Sequence, residues 1–351
     1  MIRHRLLDPS RWKRVLVLAP HPDDETLATG GLLQRSMAAG GAVRVVFVTD
    51  GENNPWPQRA VERRWRLGAS ARTRWAELRR TETLEALACL GIPASSAVFL
   101  HFPDQGLTSL LLAGGGSLVP ALITELRSWR PTLVAAPAAA DRHPDHSALA
   151  VLLRLAIDRL GGAQKGFSQI AYVVHGAPPP GTFQLPLAPV ERDRKYTAIL
   201  RHQSQLVLSR RRFLSHATER ECFVDPASPS PAHRVLDATF DSGTLSLRLA
   251  PPASLAASVH ATLVVLTEDN PGGVVRVRSC RVGPLQHEID LPVDRIPARL
   301  LVKCEAPHLF FDEAGWREIP LRGRREQLRT SRVALAGAQS MQRTVAILRR
   351  T

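Results

Sequence analysis

Residues 15–31, VLVLAPHPDDETLATGG, decide the fold, because an apolar run ends there in a dense group of polar side chains. The run is short and uninterrupted, as expected for a strand buried on both faces. One histidine and three carboxylic acids follow within five positions, namely His21, Asp23, Asp24 and Glu25. Adjacent carboxylates repel one another unless positive charge lies nearby, and a bound cation is one candidate for that charge.

Up to about residue 215, short β-rich runs alternate with helical stretches. The predicted strands are 15–18, 43–48, 98–101, 132–136 and 171–174, and the predicted helices are roughly 27–39, 72–90, 118–128 and 146–160. This alternation predicts an α/β fold, a Rossmann-like parallel sheet with helices on both faces. Ligands bind such sheets at the carboxyl ends of the strands.

Polar loops follow four of the predicted strands, so we expect them to converge at one edge of the sheet. They read HPDDE (21–25), TDGENNPW (49–56), HFPDQGL (101–107) and APAAADRHPDH (136–146). Two lone histidines, His101 and His175, also end strands and are candidates for the wall of the site, although lone histidines more often have structural roles.

The first loop favours a metal site. His21 and Asp24 are three positions apart, so in a tight loop both side chains can point at one ion. Catalytic zinc typically has three protein ligands, and the loop at 141–146 supplies two further histidines. A mixed set of histidine and carboxylate ligands suits Zn²⁺ better than Mg²⁺ or Ca²⁺, which prefer oxygen alone.

These motifs together resemble the PIG-L/LmbE family of zinc-dependent N-deacetylases, over about the first 205 residues. The matching segments are PHPDDE (20–25), TDGE (49–52), RRTE (79–82), FPDQGL (102–107), HPDH (143–146) and ILRHQSQ (199–205). One difference is Pro20, where the family commonly has alanine. The resemblance implies removal of the N-acetyl group from an N-acetylglucosamine-type sugar on a glycolipid, glycan or glycoside.

The resemblance also assigns roles residue by residue. It implies zinc ligands at His21, Asp24 and His146. It implies Asp23 as the general base and His143 as the group that stabilises or protonates the transition state. Sugar contacts are implied at Arg79, Asp104 and, more weakly, Glu52. Asp145 is a candidate to orient one of the histidine ligands.

The texture of the sequence changes after residue 220. PASPSPAHR (226–234) is typical of a linker, and short alternating runs separated by turn signals follow it. We therefore predict a catalytic domain at 1–220, a smaller all-β, sandwich-like accessory domain at 232–320 and a basic, helical tail at 321–351. The apolar run near the N-terminus is too short for a signal peptide, and no stretch approaches a membrane span, so a cytoplasmic protein is expected.

The composition is that of a folded protein, with 44% hydrophobic and 22% charged residues. The four cysteines contain no CxxC pair, which argues against a disulfide framework or a zinc knuckle. The net charge is +14, and only four of the 46 basic residues are lysine. Such an arginine bias has two interpretations, genome composition or an anionic partner.

The segment 53–80 concentrates this charge, with Trp56, Trp65, Trp75 and eight arginines. We interpret it as a lid over the pocket that recognises an anionic substrate, the alternative being a solvated helix face. The basic regions also suggest peripheral membrane or glycan contact. Other hypotheses are a zinc amidase for a different acyl group and a carbohydrate-binding protein on the same fold. No nucleic-acid partner is expected because no recognition motif is present, and no feature indicates an oligomeric state.

Overall fold

The computed structural model describes residues 5–161, 166–177, 183–226, 228, 233–251, 261–270, 273–283, 285–305, 311–312 and 314–323. These residues fall into two compact units. The first unit comprises described residues within 1–232 together with the segment 305–317, and the second comprises those within 233–304 and from 318 onward.

The first unit contains eight strands and eight helices among the described residues. The strands are β1 (Arg5–Leu6), β2 (Arg14–Ala19), β3 (Ala42–Thr49), β4 (Ala97–Phe102), β5 (Leu133–Pro137), β6 (Ser168–Tyr172), β7 (Phe183–Pro186) and β8 (Arg220–Phe223). The helices are α1 (Asp24–Ala38), α2 (Pro55–Glu62), α3 (Ala69–Cys89), α4 (Leu107–Leu112), α5 (Leu118–Trp129), α6 (Pro144–Arg159), α7 (Pro189–Ile199) and α8 (Gln203–Leu214).

Five of these strands form a parallel sheet in the order β4-β3-β2-β5-β6. On one face, Val15, Val17 and Val45 pack into a core with residues of α1, α3 and α7. The alternate positions, such as Leu16 and Leu18, are equally buried, so both faces are covered. The Rossmann-like prediction is therefore confirmed, with strand ends that differ from the predicted ones by up to three residues.

The order of the strands explains where a site can form. The chain runs outward from β2 to β3 and β4 on one side, and from β5 to β6 on the other. The loops that follow β2 and β5 therefore leave the centre of the sheet in opposite directions and open a crevice between them. HPDDE begins in the first of these loops and DRHPDH in the second.

The second unit is all-β, as predicted. Its strands are β9 (Val235–Asp241), β10 (Thr244–Leu249), β11 (Ala261–Glu268), β12 (Val275–Val282), β13 (Glu288–Pro292), β14 (Arg299–Glu305), β15 (Arg317–Glu318) and β16 (Leu321–Gly323), of which β14 and β15 extend by one residue each into 305–317. They form two four-stranded sheets, β13-β10-β9-β16 and β12-β11-β14-β15. Leu247 of one sheet and Leu263 of the other belong to one apolar core, as in a sandwich.

The course of the chain differs from the predicted boundaries at two places. Residues 305–317 return to the first unit, although the sequence gives no composition change there. We call this stretch the return segment. The predicted tail starts at 321, but residues 321–323 form β16, which pairs in parallel with β9. The rest of that tail lies outside the described residues.

No helix among the described residues combines the length and the apolarity that crossing a membrane requires.

Candidate active site

The three predicted metal ligands converge at the crevice. The Asp24 Oδ2 atom lies 3.1 Å from His21 Nδ1 and 3.1 Å from His146 Nε2. His21 lies in the loop after β2, Asp24 is the first residue of α1, and His146 lies in the first turn of α6. Two connections from the central strands thus bring together side chains that are more than 120 positions apart.

The second nitrogen of each histidine ring faces a carboxylate. His21 Nε2 lies 3.2 Å from Asp104 Oδ1 and 3.4 Å from Asp145 Oδ2. His146 Nδ1 lies 3.3 Å from Asp141 Oδ2. Carboxylates in this position fix the tautomer of a metal-binding histidine and increase its basicity. Asp145, the predicted orienting residue, lies at such a position, and so does Asp141, which the sequence analysis did not single out.

The arrangement fits a metal ion. His146 is completely buried, and neither of its ring nitrogens forms a hydrogen bond of good geometry. Burial lowers the pKa of His146, but Asp24 and Asp141 outweigh this effect and raise that pKa to about 9. Burial likewise raises the pKa of Asp24, while His146 and His21 hold it well below its usual value. The buried carboxylates therefore require cationic partners, and a divalent ion between His21, Asp24 and His146 would supply that charge.

Asp23 is held beside the ligands in a strained conformation. Its φ of 137° lies in the range that favours glycine, and such strain concentrates at functional sites. Its backbone N–H donates to Glu25 Oε2 at 3.0 Å, and its Oδ2 atom accepts a hydrogen bond from Arg79 Nη2 at 2.8 Å. Burial raises the pKa of Asp23 to about 7, although the Arg79 guanidinium acts in the opposite direction. A carboxyl group with this pKa is suited to exchanging a proton near neutral pH.

Arg79, a predicted sugar contact, is engaged within the protein. It is only 4% exposed, and its Nη groups donate to the Pro22 and Gly51 carbonyls as well as to Asp23. Gly51 has a φ of 64°, and a Cβ atom there would collide with the guanidinium of Arg79. Arg79 lines the crevice, and these contacts make it a residue that positions Asp23.

His143 occupies the N-cap of α6, directly before Pro144. Its Nδ1 atom accepts the backbone N–H of Asp145 at 3.2 Å, so the proton of the neutral ring belongs on Nε2. The ring centroid lies 4.8 Å from that of His21. His143 therefore presents an N–H donor beside the metal-ligand cluster.

The other two predicted sugar contacts have different positions. Asp104 lines the crevice, accepts the Asn53 N–H at 2.7 Å and contacts His21. Burial raises the pKa of Asp104, but the hydrogen bond with His21, the charges of His21 and Arg79 and the Asn53 N–H together outweigh burial and lower that pKa overall. Glu52 accepts the backbone N–H of Asp104 at 3.1 Å and lines a separate hollow with Arg59 and Trp65. Glu52 therefore supports the loop of Asp104 from behind.

The predicted lid contributes to the crevice through its first residues. Asn54 and Pro57 line the crevice, whereas Trp75 is buried in the protein and does not line it. Arg59 lies against the rings of Trp56 and Trp65, with its Cζ atom 5.0 and 4.7 Å from their centroids. The arginines at 63, 64 and 66 are exposed and do not line the crevice.

The remaining wall contains side chains that had weak sequence signals or none. His175, one of the two lone histidines at strand ends, lines the crevice, whereas His101 pairs with Asp50 instead. Arg212 of α8 and Phe311 of the return segment also line it. Arg212 lies in a run of arginines on a helix, and Phe311 lies beyond the predicted catalytic domain, so neither was predicted.

Comparison with known proteins identifies a family for the first part of the chain. Residues 16–157 match the PIG-L family model, described as GlcNAc-PI de-N-acetylase. Residues 16–157 form a PIG-L domain. It contains all nine predicted site residues, and it ends before Arg212 and Phe311.

Relatives of the PIG-L domain include deacetylases of amino sugars. The chain is 33% identical over 168 residues to the 1D-myo-inositol 2-acetamido-2-deoxy-alpha-D-glucopyranoside deacetylase of Rhodococcus jostii. The aligned region covers 43% of this chain and 56% of that protein. The chain thus spans about half the length of the curated relatives it matches.

Two solved structures are similar as well. The conserved protein TT1542 of Thermus thermophilus is 29% identical, with a TM-score of 0.46 over 60% of this chain and 94% of that chain. The N,N'-diacetylchitobiose deacetylase of Pyrococcus horikoshii is 22% identical, with a TM-score of 0.48 over 62% of this chain and 86% of that chain.

Proposed function

We propose that this protein is a zinc-dependent hydrolase that removes the N-acetyl group from an N-acetylglucosamine-type sugar. The PIG-L domain and its similarity to a deacetylase of a 2-acetamido-2-deoxyglucoside support the reaction class. The donor set of two histidines and one carboxylate supports zinc. Glycolipid, glycan and glycoside carriers of the sugar all fit this proposal.

The observation that carries the proposal is the separation of tasks between Asp23 and Asp24. The Asp24 carboxylate contacts both His21 and His146. The Asp23 carboxylate instead pairs with Arg79. Asp23 thus remains beside the metal position without being one of its ligands. Hydrolysis of an amide needs a base at this place, and a protein that only binds sugars does not.

Zinc bound at this site would supply Lewis-acid chemistry and lower the pKa of a water molecule toward neutrality. Asp23 accepts the proton of the attacking water, and the ion pair with Arg79 keeps the carboxylate oriented. The Nε2–H of His143 donates to the carbonyl oxygen as negative charge develops there. Asp23 then gives the proton that it took from the water to the leaving amine, so that Asp23 and His143 both end in their starting protonation states.

The experiment that tests this proposal compares Asp23→Asn with wild type and with Asp193→Asn, an exposed carboxylate on α7. We expect Asp23→Asn to retain about one zinc per chain and to lose activity roughly 10²- to 10⁴-fold, because the base is removed and the ligands remain. Metal content is measured by elemental analysis, and loss of one acetyl group by mass spectrometry on N-acetylglucosaminyl glycosides.

Near-normal turnover of Asp23→Asn would remove this residue from the mechanism. A wild-type protein that binds zinc but deacetylates none of the glycosides, and instead cleaves another N-acyl compound, would favour the amidase alternative.

A further inference from the structure

Arg212 has an unusual environment for a helical arginine. The α8 helix is kinked at Ser209, where φ is −134°, and Ser209 and Arg212 both line the crevice. The Nη2 group of Arg212 donates to His175 Nδ1, and its Cζ atom lies 5.2 Å from the ring centroid of Phe311. Arg212 is nevertheless exposed to solvent, and its Nε and Nη1 groups form no hydrogen bond with the described residues.

Phe311 is fixed in place by the return segment. Asp312 N donates to the Arg142 carbonyl at 2.9 Å, and Arg142 Nε donates to the Asp312 carbonyl at 2.9 Å. The Phe311 ring stacks on the His175 ring, with 5.0 Å between the ring centroids, and its centroid lies 5.9 Å from that of His143. The loop that carries the proposed catalytic His143 therefore also anchors the aromatic ring against which Arg212 lies.

The crevice has one other arginine among its described lining residues, Arg79, and that guanidinium is occupied by Asp23 and two backbone carbonyls. The exposed arginines of the lid lie elsewhere. Arg212 is therefore the guanidinium in this crevice that has donors available for a ligand. Stacking on an aromatic ring and a hydrogen bond to His175 orient those donors before any ligand arrives.

We propose that Arg212 is a specificity-determining residue that binds an oxyanion, a phosphate or a carboxylate, carried by the group attached to the amino sugar. This inference rests on the proposed deacetylase function and names its substrate class. A guanidinium recognises both oxyanions through the same paired hydrogen bonds, which explains why an arginine and not a lysine suits this position. Under this proposal Arg212 recognises the anion, whereas the sequence analysis assigned anion recognition to the lid, residues 53–80.

The test uses the zinc-loaded full chain and three derivatives of N-acetylglucosamine. These are the neutral methyl glycoside, the 1-phosphate and the carboxymethyl glycoside. We expect wild type to prefer at least one charged derivative in kcat/KM, mainly through a lower KM. Arg212→Ala is expected to reduce that preference about 10- to 100-fold, the usual effect of losing a charged hydrogen bond. The derivative that shows the preference distinguishes phosphate from carboxylate.

Two further variants keep the test decisive. Arg211→Ala removes the same charge from the neighbouring position of α8, which does not line the crevice, and should retain the preference. Arg212→Lys retains the positive charge but lacks the paired donors of the guanidinium, so we expect it to give an intermediate preference. This variant keeps the proposal testable if Arg212→Ala does not fold. Equal kcat/KM for all three derivatives, or an unchanged preference in the Arg212 variants, would overturn the assignment while leaving the deacetylase proposal intact. No deacetylation of any derivative would instead count against the proposed function.

Discussion

At the scale of single residues, Gly51 contributes to the position of Asp23, the proposed base, through its contact with Arg79. Its φ of 64° suits glycine, its carbonyl accepts from Arg79 Nη1 at 2.8 Å, and its missing side chain makes room for that guanidinium. Any larger residue must displace Arg79, and Arg79 in turn holds Asp23. A backbone position without a side chain therefore contributes to the orientation of the Asp23 carboxylate, the proposed base.

Gly51→Ala should lower kcat/KM about 10- to 100-fold with little change in zinc content, because it disturbs the base through Arg79 and leaves the ligands in place. The matched control is Gly40→Ala. Gly40 has a similar φ of 73° but open space where a Cβ atom would lie, so its variant shares the backbone cost of about 1 kcal/mol without the collision. Steady-state kinetics and zinc analysis of both variants check this prediction, and equal activity of the two would contradict it.

Local signals in the sequence indicated a metal site, whereas the roles of the individual residues were implied by the resemblance to the PIG-L/LmbE family. His21 and Asp24 could be paired because they lie three positions apart after a strand, and His143 and His146 because HPDH follows another strand. The ion pair between Arg79 and Asp23 has no such signal, since 56 positions separate the two residues. Only the packing of α3 against the loop after β2 brings these side chains together.

At the scale of elements, Asp141 connects two loops at the edge of the sheet. Its Oδ1 atom accepts from His143 N, and its Oδ2 atom accepts from Val174 N and His175 N at 2.8 and 3.1 Å. The same Oδ2 atom faces His146 Nδ1. One carboxylate thus ties the start of α6 to the residues that follow strand β6 and contacts His146, a proposed metal ligand.

Asp141→Asn is expected to weaken zinc binding about 10- to 100-fold, the typical effect of losing the carboxylate behind a histidine ligand. Competition with a chromophoric chelator measures the affinity. Asp193→Asn again serves as the control, because it removes a carboxylate from an exposed helix position. Unchanged affinity in Asp141→Asn would show that the Asp141–His146 contact does not support the metal.

The five strands of the parallel sheet and the helices α1, α3, α5 and α6 could be predicted from their apolar runs and apolar periodicity, whereas α2, α4, α7 and α8 were not predicted. The strands β1, β7 and β8 were missed, since a two-residue strand and two four-residue strands carry little periodic signal. The all-β character of the second unit was predicted from alternating runs and turn signals. The return segment was not, because its position depends on contacts such as that between Asp312 and Arg142, which are remote in sequence.

At the scale of the whole molecule, the buried His202 and the half-buried His216 make the stability depend on pH. Burial lowers the pKa of His216 to about 4, with Lys195 and Arg212 acting in the same direction, and lowers the pKa of His202 to about 3. The unfolded chain binds protons on these residues below about pH 6.5, and the folded protein does not. Their contribution to stability is therefore complete above pH 6.5 and is lost as the pH falls toward the folded-state values.

His216→Gln should remove one part of this dependence. Between pH 7 and pH 5.5, the free energy of unfolding of wild type should fall by about 1 kcal/mol more than that of the variant. Urea denaturation at both pH values, with zinc present throughout, measures the difference. Parallel losses in the two proteins would mean that His216 titrates normally in the folded state.

The return segment has a consequence for how this architecture can diversify. Residues 305–317 belong to the first unit. Most of the β-sandwich, residues 233–304, is therefore inserted in sequence between two parts of the first unit. Recombination that exchanged everything after the linker would replace Phe311, and with it one wall of the crevice, while leaving HPDDE and HPDH untouched. A lineage could thus acquire a new accessory domain and a changed crevice wall in one genetic event, while it inherits the cluster of His21, Asp24 and His146 unchanged.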